Sequence, residues 1–425
     1  MAFSSKQRRI LLTTFGSLGD LYPFLAIAGE LSKRGHRPIV GTVQAYREKV
    51  ESAGFEFRLI RTALIEQSNQ ALIQQVLDLK NGSEYLIRQL LMPALRTSYE
   101  DTLVASRDAH LLISHPLTLA TRLVAEKQSL PWVSTQLAPM GFFSAYDPPV
   151  LPIAPFLAKL HPLGPLFSRP LMQFAKRSVR SWTEPYTDLR RSLGLQPVHD
   201  PFFDGSYSPS LVLGLFSDII GSPQPDWPKQ AAASGFPFFD EHEAPKENID
   251  LQRFLDAGPP PIVFTLGTAA VMDSGRFYQD SVQAAQALGR RALLLIGSDP
   301  KNRPANLPDT VAAFEYAPFA QVFPRAAAIV HQGGIGTTGQ AMRAGKPMLL
   351  MPYALDQPDN AARVERLGIA KVLARSEYSA DQATQKLSTL LDDPAYLQRA
   401  DDIRQRIARQ SGSEAACNLL EPMLH

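Results

Sequence analysis

Two stretches of this 425-residue chain carry residue types suited to anion and acid–base chemistry. The first is His331-Gln332-Gly333-Gly334-Ile335-Gly336-Thr337-Thr338. Its glycines let backbone N–H groups approach a ligand, a helix start adds unpaired N–H groups and a partial positive charge, and its hydroxyls add donors. A phosphate or diphosphate suits such a turn. Asp356-Gln357, in the next loop, pairs a carboxylate with an amide that can hold several hydroxyls, and Tyr316-Ala317-Pro318 upstream offers a ring on which a base can stack. Base, phosphate and polyol positions in that chain order fit a nucleotide-sugar. No Gly-Lys-Ser/Thr follows the glycines, so this is not a Walker loop, and the acidic ribose partner of a dinucleotide fingerprint is missing at the usual spacing. The second stretch is Gly16-Ser17-Leu18-Gly19-Asp20. Asp20 is either the N-cap of the following helix or a general base at a strand end. His115, followed by Pro116, is a second candidate of the same kind.

The elements that must position these residues alternate. Apolar runs at 10–14, 39–43, 111–114 and 132–134 read as strands, separated by helical periodicity near 21–34 and 117–127. The second half repeats the pattern, with strands at 262–266, 292–296, 327–330 and 348–351 and helices near 276–288, 337–344 and 360–367. Such alternation implies parallel sheets with helices on both faces. The expected fold class is α/β: two Rossmann-like doubly wound domains facing across a cleft, with the C-terminal helix packing back on the first. The proline-rich stretch 221–250 reads as the linker. The two expected domains are residues 1–225 and 226–425, the second carrying the nucleotide-sugar. Ligands of such sheets sit beyond the C-terminal strand ends.

Composition narrows the classes. The net charge of +2 gives no reason to invoke nucleic acid. Cys417 is the sole cysteine, which fits a reducing compartment, excludes a cysteine metal cluster, and reads as packing on a C-terminal helix. Lys6, Arg8 and Arg9 precede an apolar run, Ile10 to Leu12, that is too short for a signal-peptide core. A cytoplasmic location is the expectation.

The chain resembles the inverting nucleotide-sugar glycosyltransferases of the two-Rossmann-domain (GT-B) kind, which include the sterol, macrolide, glycopeptide and plant secondary-metabolite enzymes. The resemblance is carried by the 331–338 turn with Asp356-Gln357, and by Gly16 to Pro23, which is similar to the Gly-Ser/Thr-Arg-Gly-Asp-x-x-Pro element of the sterol and glycopeptide members. It implies that Tyr316 and Ala317 meet the base. It further implies that Gly19, Gly267, Thr268, His331, Gln332, Gly333, Gly334, Gly336, Thr337 and Thr338 surround the diphosphate. Asp356 and Gln357 would hold the sugar. Gln332 stands where the family has a phosphate-binding histidine, and Gln340 where it has a ribose-binding glutamate. That departure admits a deoxythymidine donor such as dTDP-rhamnose beside UDP-glucose. The family's plant members use a histidine base oriented by an aspartate. Here the pair is reversed, with Asp20 at the histidine position and His115 near the aspartate position, so either could take the proton. The sequence has no Asp-x-Asp, the arrangement that bridges a metal to phosphates, and no cofactor or metal is expected beyond the nucleotide-sugar co-substrate. His36, His161 and His199 read as structural.

The acceptor should lie against the first half, where 137–143 and 151–167 are apolar and irregular. Met140, Phe142 and Phe143 are its candidate contacts, with a flavonoid, phenol, sterol or macrolide as the class. Two alternatives remain. One is a membrane-surface enzyme with a lipid acceptor, for which Lys159, Arg169, Lys176, Arg177 and Arg180 supply basic charge for peripheral membrane contact. The other is an inactive helper of the same fold.

Overall fold

The computed structural model describes residues 7–63, 70–152, 154, 155, 158, 163–198, 200–240 and 248–424. Lys6, Lys159, His161 and His199 lie outside the described residues, as does part of 151–167. The chain divides into two compact units: residues 1–66, 80–239 and 410–425 form one, and 67–79 and 240–409 the other.

The first unit is built on a seven-stranded, all-parallel sheet. Its strands are β1 (Arg9–Thr13), β2 (Arg37–Thr42), β3 (Glu56–Leu59), β4 (Leu111–Ser114), β5 (Trp132–Gln136), β6 (Val212–Gly214) and β7 (Ala231–Ala233). They lie in the order β3-β2-β1-β4-β5-β6-β7. The central strands are continuous apolar runs because helices cover both faces. Ile10, Leu11, Leu12, Leu111, Leu112 and Ile113 are each 0% exposed, and burial of each such side chain is worth roughly 1.5–3 kcal/mol. Helix α1 (Leu18–Lys33) follows β1 and buries Leu21, Phe24, Leu25 and Ala28 on its sheet-facing side.

The first unit runs past the expected 225/226 boundary. The cause is β7, which pairs in parallel with β6, together with Trp227, whose ring stacks on Phe142 at 3.7 Å. The junction between the units, at Phe239 and Asp240, falls inside the proline-rich stretch expected as the linker, but residues 221–239 of that stretch are structure of the first unit. The C-terminal helix (Gly412–Leu420) packs on α1, as expected. Arg34 donates to the Glu414 carbonyl at 3.2 Å and to Asn418 Oδ1 at 2.8 Å. Cys417 is fully buried there, and burial pushes its thiol up to about 12, an inert group.

The second unit has six parallel strands: β8 (Ile262–Thr265), β9 (Ala292–Leu295), β10 (Val311–Phe314), β11 (Ala328–His331), β12 (Met348–Leu350) and β13 (Ala370–Val372). Their order is β10-β9-β8-β11-β12-β13. One of its helices comes from far up the chain. Helix α2 (Gln70–Val76) brings Ile73, and Leu77 just beyond it, into the core of β8, β9 and β11.

Each sheet reverses its winding direction once, between β1 and β4 in the first unit and between β8 and β11 in the second. In doubly wound sheets, ligands gather outside the strand ends at such reversals. Asp20 and His115 lie beyond β1 and β4, and the Gly267 and Gly334 turns lie beyond β8 and β11.

Candidate active site

In the first unit the loop after β1 turns through Gly16, whose φ of +130° is open only to glycine. A Cβ built there would lie 2.3 Å from Asp20 Oδ2, so the carboxylate occupies the space that a side chain would fill. The N-cap of α1 is Ser17, and Asp20 is the third residue of the helix. The alternative that Asp20 is the N-cap is corrected to that extent. Its Oδ2 accepts the Ser17 N–H at 2.7 Å and the Ser17 hydroxyl at 2.9 Å, which completes the reciprocal side of a capping box.

The other oxygen, Oδ1, lies 3.2 Å from His115 Nε2. The Leu117 N–H donates to His115 Nδ1 at 3.1 Å. A nitrogen that accepts a backbone N–H carries no proton, so the neutral ring bears its proton on Nε2 and donates it to Asp20. The pair thus has a direction: His115 donates and Asp20 accepts. The His115 side chain is 4% exposed and that of Asp20 is 31% exposed, so the carboxylate is the member open to a ligand. Burial raises the Asp20 pKa, but the His115 and Ser17 donors outweigh it and hold the carboxyl below the usual aspartate range. Gly19 sits in the same helical turn, beside the Ser17 hydroxyl.

In the second unit Gly267 opens the short helix α4 (Gly267–Ala270) after β8, with φ +66°, and Thr268 beside it is exposed. A Cβ on Gly267 would lie 2.5 Å from Gln332 Nε2, and one on Gly334 would lie 2.8 Å from the same atom. The Gln332 amide nitrogen therefore fills the gap between these two turns. Gly334 caps helix α5 (Ile335–Ala344), whose first internal bond runs from the Thr338 N–H to the Gly334 carbonyl at 2.9 Å. The N–H groups of Ile335, Gly336 and Thr337 precede that ladder, and such a helix start is suited to an anion. The Thr337 hydroxyl has no hydrogen-bond partner among the described residues.

In the loop after β12, Gln357 Oε1 accepts the Tyr353 N–H at 2.9 Å, which leaves its NH₂ to donate. Asn360 reaches Asp356 Oδ2 at 2.7 Å and the Gly333 carbonyl at 3.0 Å. It ties the Asp356 carboxylate to the Gly333 turn. Tyr316, 56% exposed, presents its ring at the end of β10.

Residues 282–421 match the model of the erythromycin biosynthesis protein CIII-like C-terminal domain, and residues 10–143 that of the glycosyltransferase family 28 N-terminal domain. The chain is 32% identical to O-mycaminosyltylonolide 6-deoxyallosyltransferase of Streptomyces fradiae, over 97% of each chain. It belongs to the GT-B glycosyltransferases. Vancomycin aglycone glucosyltransferase of Amycolatopsis orientalis is 28% identical, again over 97% of each chain. Among solved structures, glycosyltransferase VinC in complex with dTDP superposes with a TM-score of 0.69 at 19% identity, covering 98% of this chain and 99% of that one.

Side-chain direction corrects several contacts expected in this glycosyltransferase. His331 is 0% exposed, its Nδ1 accepts the Gly333 N–H at 3.1 Å, and burial pushes its pKa down to about 3. It is a neutral group beneath the turn, not a charged phosphate ligand. Both backbone polar groups of Gly333 are taken, by His331 and Asn360, so it shapes the turn. The Thr338 hydroxyl is committed to the Gly334 carbonyl at 2.9 Å. Ala317 is 1% exposed and packs inward, leaving Tyr316 as the ring of that pair. Phe142 is core, stacked between Trp227 and Tyr207, whereas Met140 and Phe143 are half-buried at the loop beyond β5. Sequence reasoning missed Ser17 and Asn360. The Ser-x-x-Asp spacing of a capping box signals the first. Nothing local signals the second.

Among the described residues, no three His, Cys, Asp or Glu side chains gather as a metal site. No helix among them is long and apolar enough to cross a membrane.

Proposed function

We propose that this glycosyltransferase moves a hexose from a nucleoside diphosphate sugar, of the UDP-glucose or dTDP-rhamnose type, to a hydroxyl of an apolar small molecule, with inversion and without a metal ion. The observation that carries the reading is the directed pair: the Leu117 N–H fixes the tautomer of His115, whose Nε2–H is given to Asp20. Asp20 then takes the acceptor proton as the new bond forms, and His115 positions it. A carboxylate with a depressed pKa is a weak base at rest, but the attacking alcohol acidifies along the reaction path. Such assistance is typically worth about 10²–10⁴-fold.

The leaving diphosphate is received by the open N–H groups at the start of α5, with the Thr337 and Thr268 hydroxyls and the Gln332 amide as neutral donors. Preorganised dipoles of this kind stabilise developing anionic charge without a cation. Asp356 and Gln357 hold sugar hydroxyls, and Tyr316 stacks on the base. The Met140 and Phe143 loop receives the acceptor. It follows β5, the neighbour of the strand that carries His115. In support, the Streptomyces relative is by its name a deoxyallosyltransferase, the Amycolatopsis one transfers glucose to an aglycone, and VinC was crystallised with dTDP.

The test is a panel of UDP- and dTDP-sugars with one phenolic acceptor, read by product mass with and without EDTA. A hexose or deoxyhexose increment insensitive to EDTA is expected. Loss of product on chelation would refute the metal-free step, and absence of product with every donor would refute the donor class.

A further inference from the structure

The helix Pro165–Ser178, here α3, faces the core only through Ser168 and Met172, which share one side of it. The opposite side is apolar and open. Leu166 is 86% exposed and Phe174 71%, with Phe167 beside them at 41% and Leu163 just before the helix at 60%. Leu166, Pro170 and Phe174 follow one another at four-residue spacing, a ridge of about 12 Å along the axis. Single exposed apolar side chains are ordinary, but a continuous ridge of them marks an interaction surface.

The segment that forms the ridge is positively charged, although Asp200 and Asp204 of a later loop come close to it. Between Asp147 and Glu184 the sequence holds no Asp or Glu, yet it carries Arg169, Lys176, Arg177 and Arg180 on or beside the helix. Lys176 is engaged by Asp204 at 2.7 Å, and Arg169 rests against Tyr146, its guanidinium 3.1 Å from the hydroxyl. Arg177 and Arg180 are exposed.

We propose that α3 docks the enzyme on an anionic bilayer. The Leu166–Pro170–Phe174 ridge enters the headgroup–acyl boundary, and the arginines meet lipid phosphates. An apolar ridge flanked by an excess of cations, here Arg169, Arg177 and Arg180 after Lys176 is paired with Asp204, is the arrangement that interfacial helices use. A ridge this short binds weakly and reversibly, with most of its selectivity coming from the negative surface potential. This inference is independent of the acceptor's identity, although a bilayer is where apolar acceptors collect.

The test is co-sedimentation of the full chain with vesicles of phosphatidylcholine, alone or with phosphatidylglycerol, at about 0.1 M and about 1 M salt, where the screening length falls from about 10 Å to about 3 Å. Binding to the anionic vesicles at low salt is expected, with a several-fold loss at high salt and on neutral vesicles. Leu166→Glu/Phe174→Glu should abolish it, and Arg169→Glu/Arg177→Glu/Arg180→Glu should do the same without touching the ridge. Thermal melts should show both variants folded. Equal binding to neutral and anionic vesicles, no binding to either, or wild-type binding by both variants would overturn the proposal. So would a lipid-free dimer in sedimentation velocity that Leu166→Glu/Phe174→Glu dissolves, since a second copy would then own the ridge.

Discussion

The two sheet reversals solve opposite problems with different parts of the chain. At the first, between β1 and β4, side chains meet: the Asp20 carboxylate is held by a serine and by an imidazole whose own orientation is fixed by a backbone N–H. At the second, between β8 and β11, the polar surface is chiefly backbone, opened by glycines at 267 and 334 and closed by one neutral amide, Gln332. A proton acceptor, the role proposed for Asp20, needs a group that titrates, and a carboxylate is one. An anion cradle needs donors that stay donors at every pH, and peptide N–H groups do. His331, whose ring accepts the Gly333 N–H, is buried and neutral. The same topology therefore yields one site that responds to protonation and one that does not.

The comparison can be broken by exchanging the properties of the two sites. The largest effect is expected from Asp20→Asn. Turnover should fall by about 10²–10⁴-fold while nucleoside diphosphate affinity, read by calorimetry, stays within about twofold. A parallel loss of affinity would mean that Asp20 belongs to the anion site. Next are Gly267→Ala and Gly334→Ala, whose new methyl groups meet the Gln332 amide. We expect a several-fold higher donor KM, because the Gln332 amide must swing out of the gap, and Gly267→Ala also places a side chain at φ +66°. An unchanged KM would show that the turn is not the cradle. Asn360→Ala removes the tie between Asp356 and Gly333. A hydrogen bond to a charged group is worth about 1.5–3 kcal/mol, and the loss should weaken use of the intact donor more than binding of the free diphosphate. Equal losses would deny Asp356 its sugar contact. The smallest effect is that of Gln332→His, which should leave donor KM nearly unchanged at neutral pH but make it pH-dependent near the imidazole range, about 6.5. A flat profile would remove residue 332 from the phosphate.

The central strands were legible because burial on both faces demands continuous apolar runs, as at Ile10–Leu12 and Leu293–Leu295. Outlying strands were not. β7 is three alanines and β3 alternates charge at a half-exposed edge, so neither carries a hydrophobic signature. The excursion of α2 into the second unit had no local signal either, since only distant contacts define it. At the site, residue type and strand-end position located Asp20, His115, Gln332 and Asp356. Direction did not follow. Periodicity does not reveal that Thr338 bonds back to its own helix, that Phe142 turns into an aromatic core, or that the Leu117 N–H decides which way the histidine donates.

The claim that most depends on that last bond is that the carboxylate, not the imidazole, takes the proton. A pH profile of kcat/KM for the acceptor, run on the wild type and on His115→Ala, addresses it directly. The carboxyl is held low by His115 and Ser17, so wild-type activity should stay level as pH falls from 8 to about 4.5, with its acid limb below the usual aspartate value of about 3.9. His115→Ala should shift that limb upward. A wild-type limb near 6.5 that vanishes in His115→Ala would make the histidine the base and contradict the account.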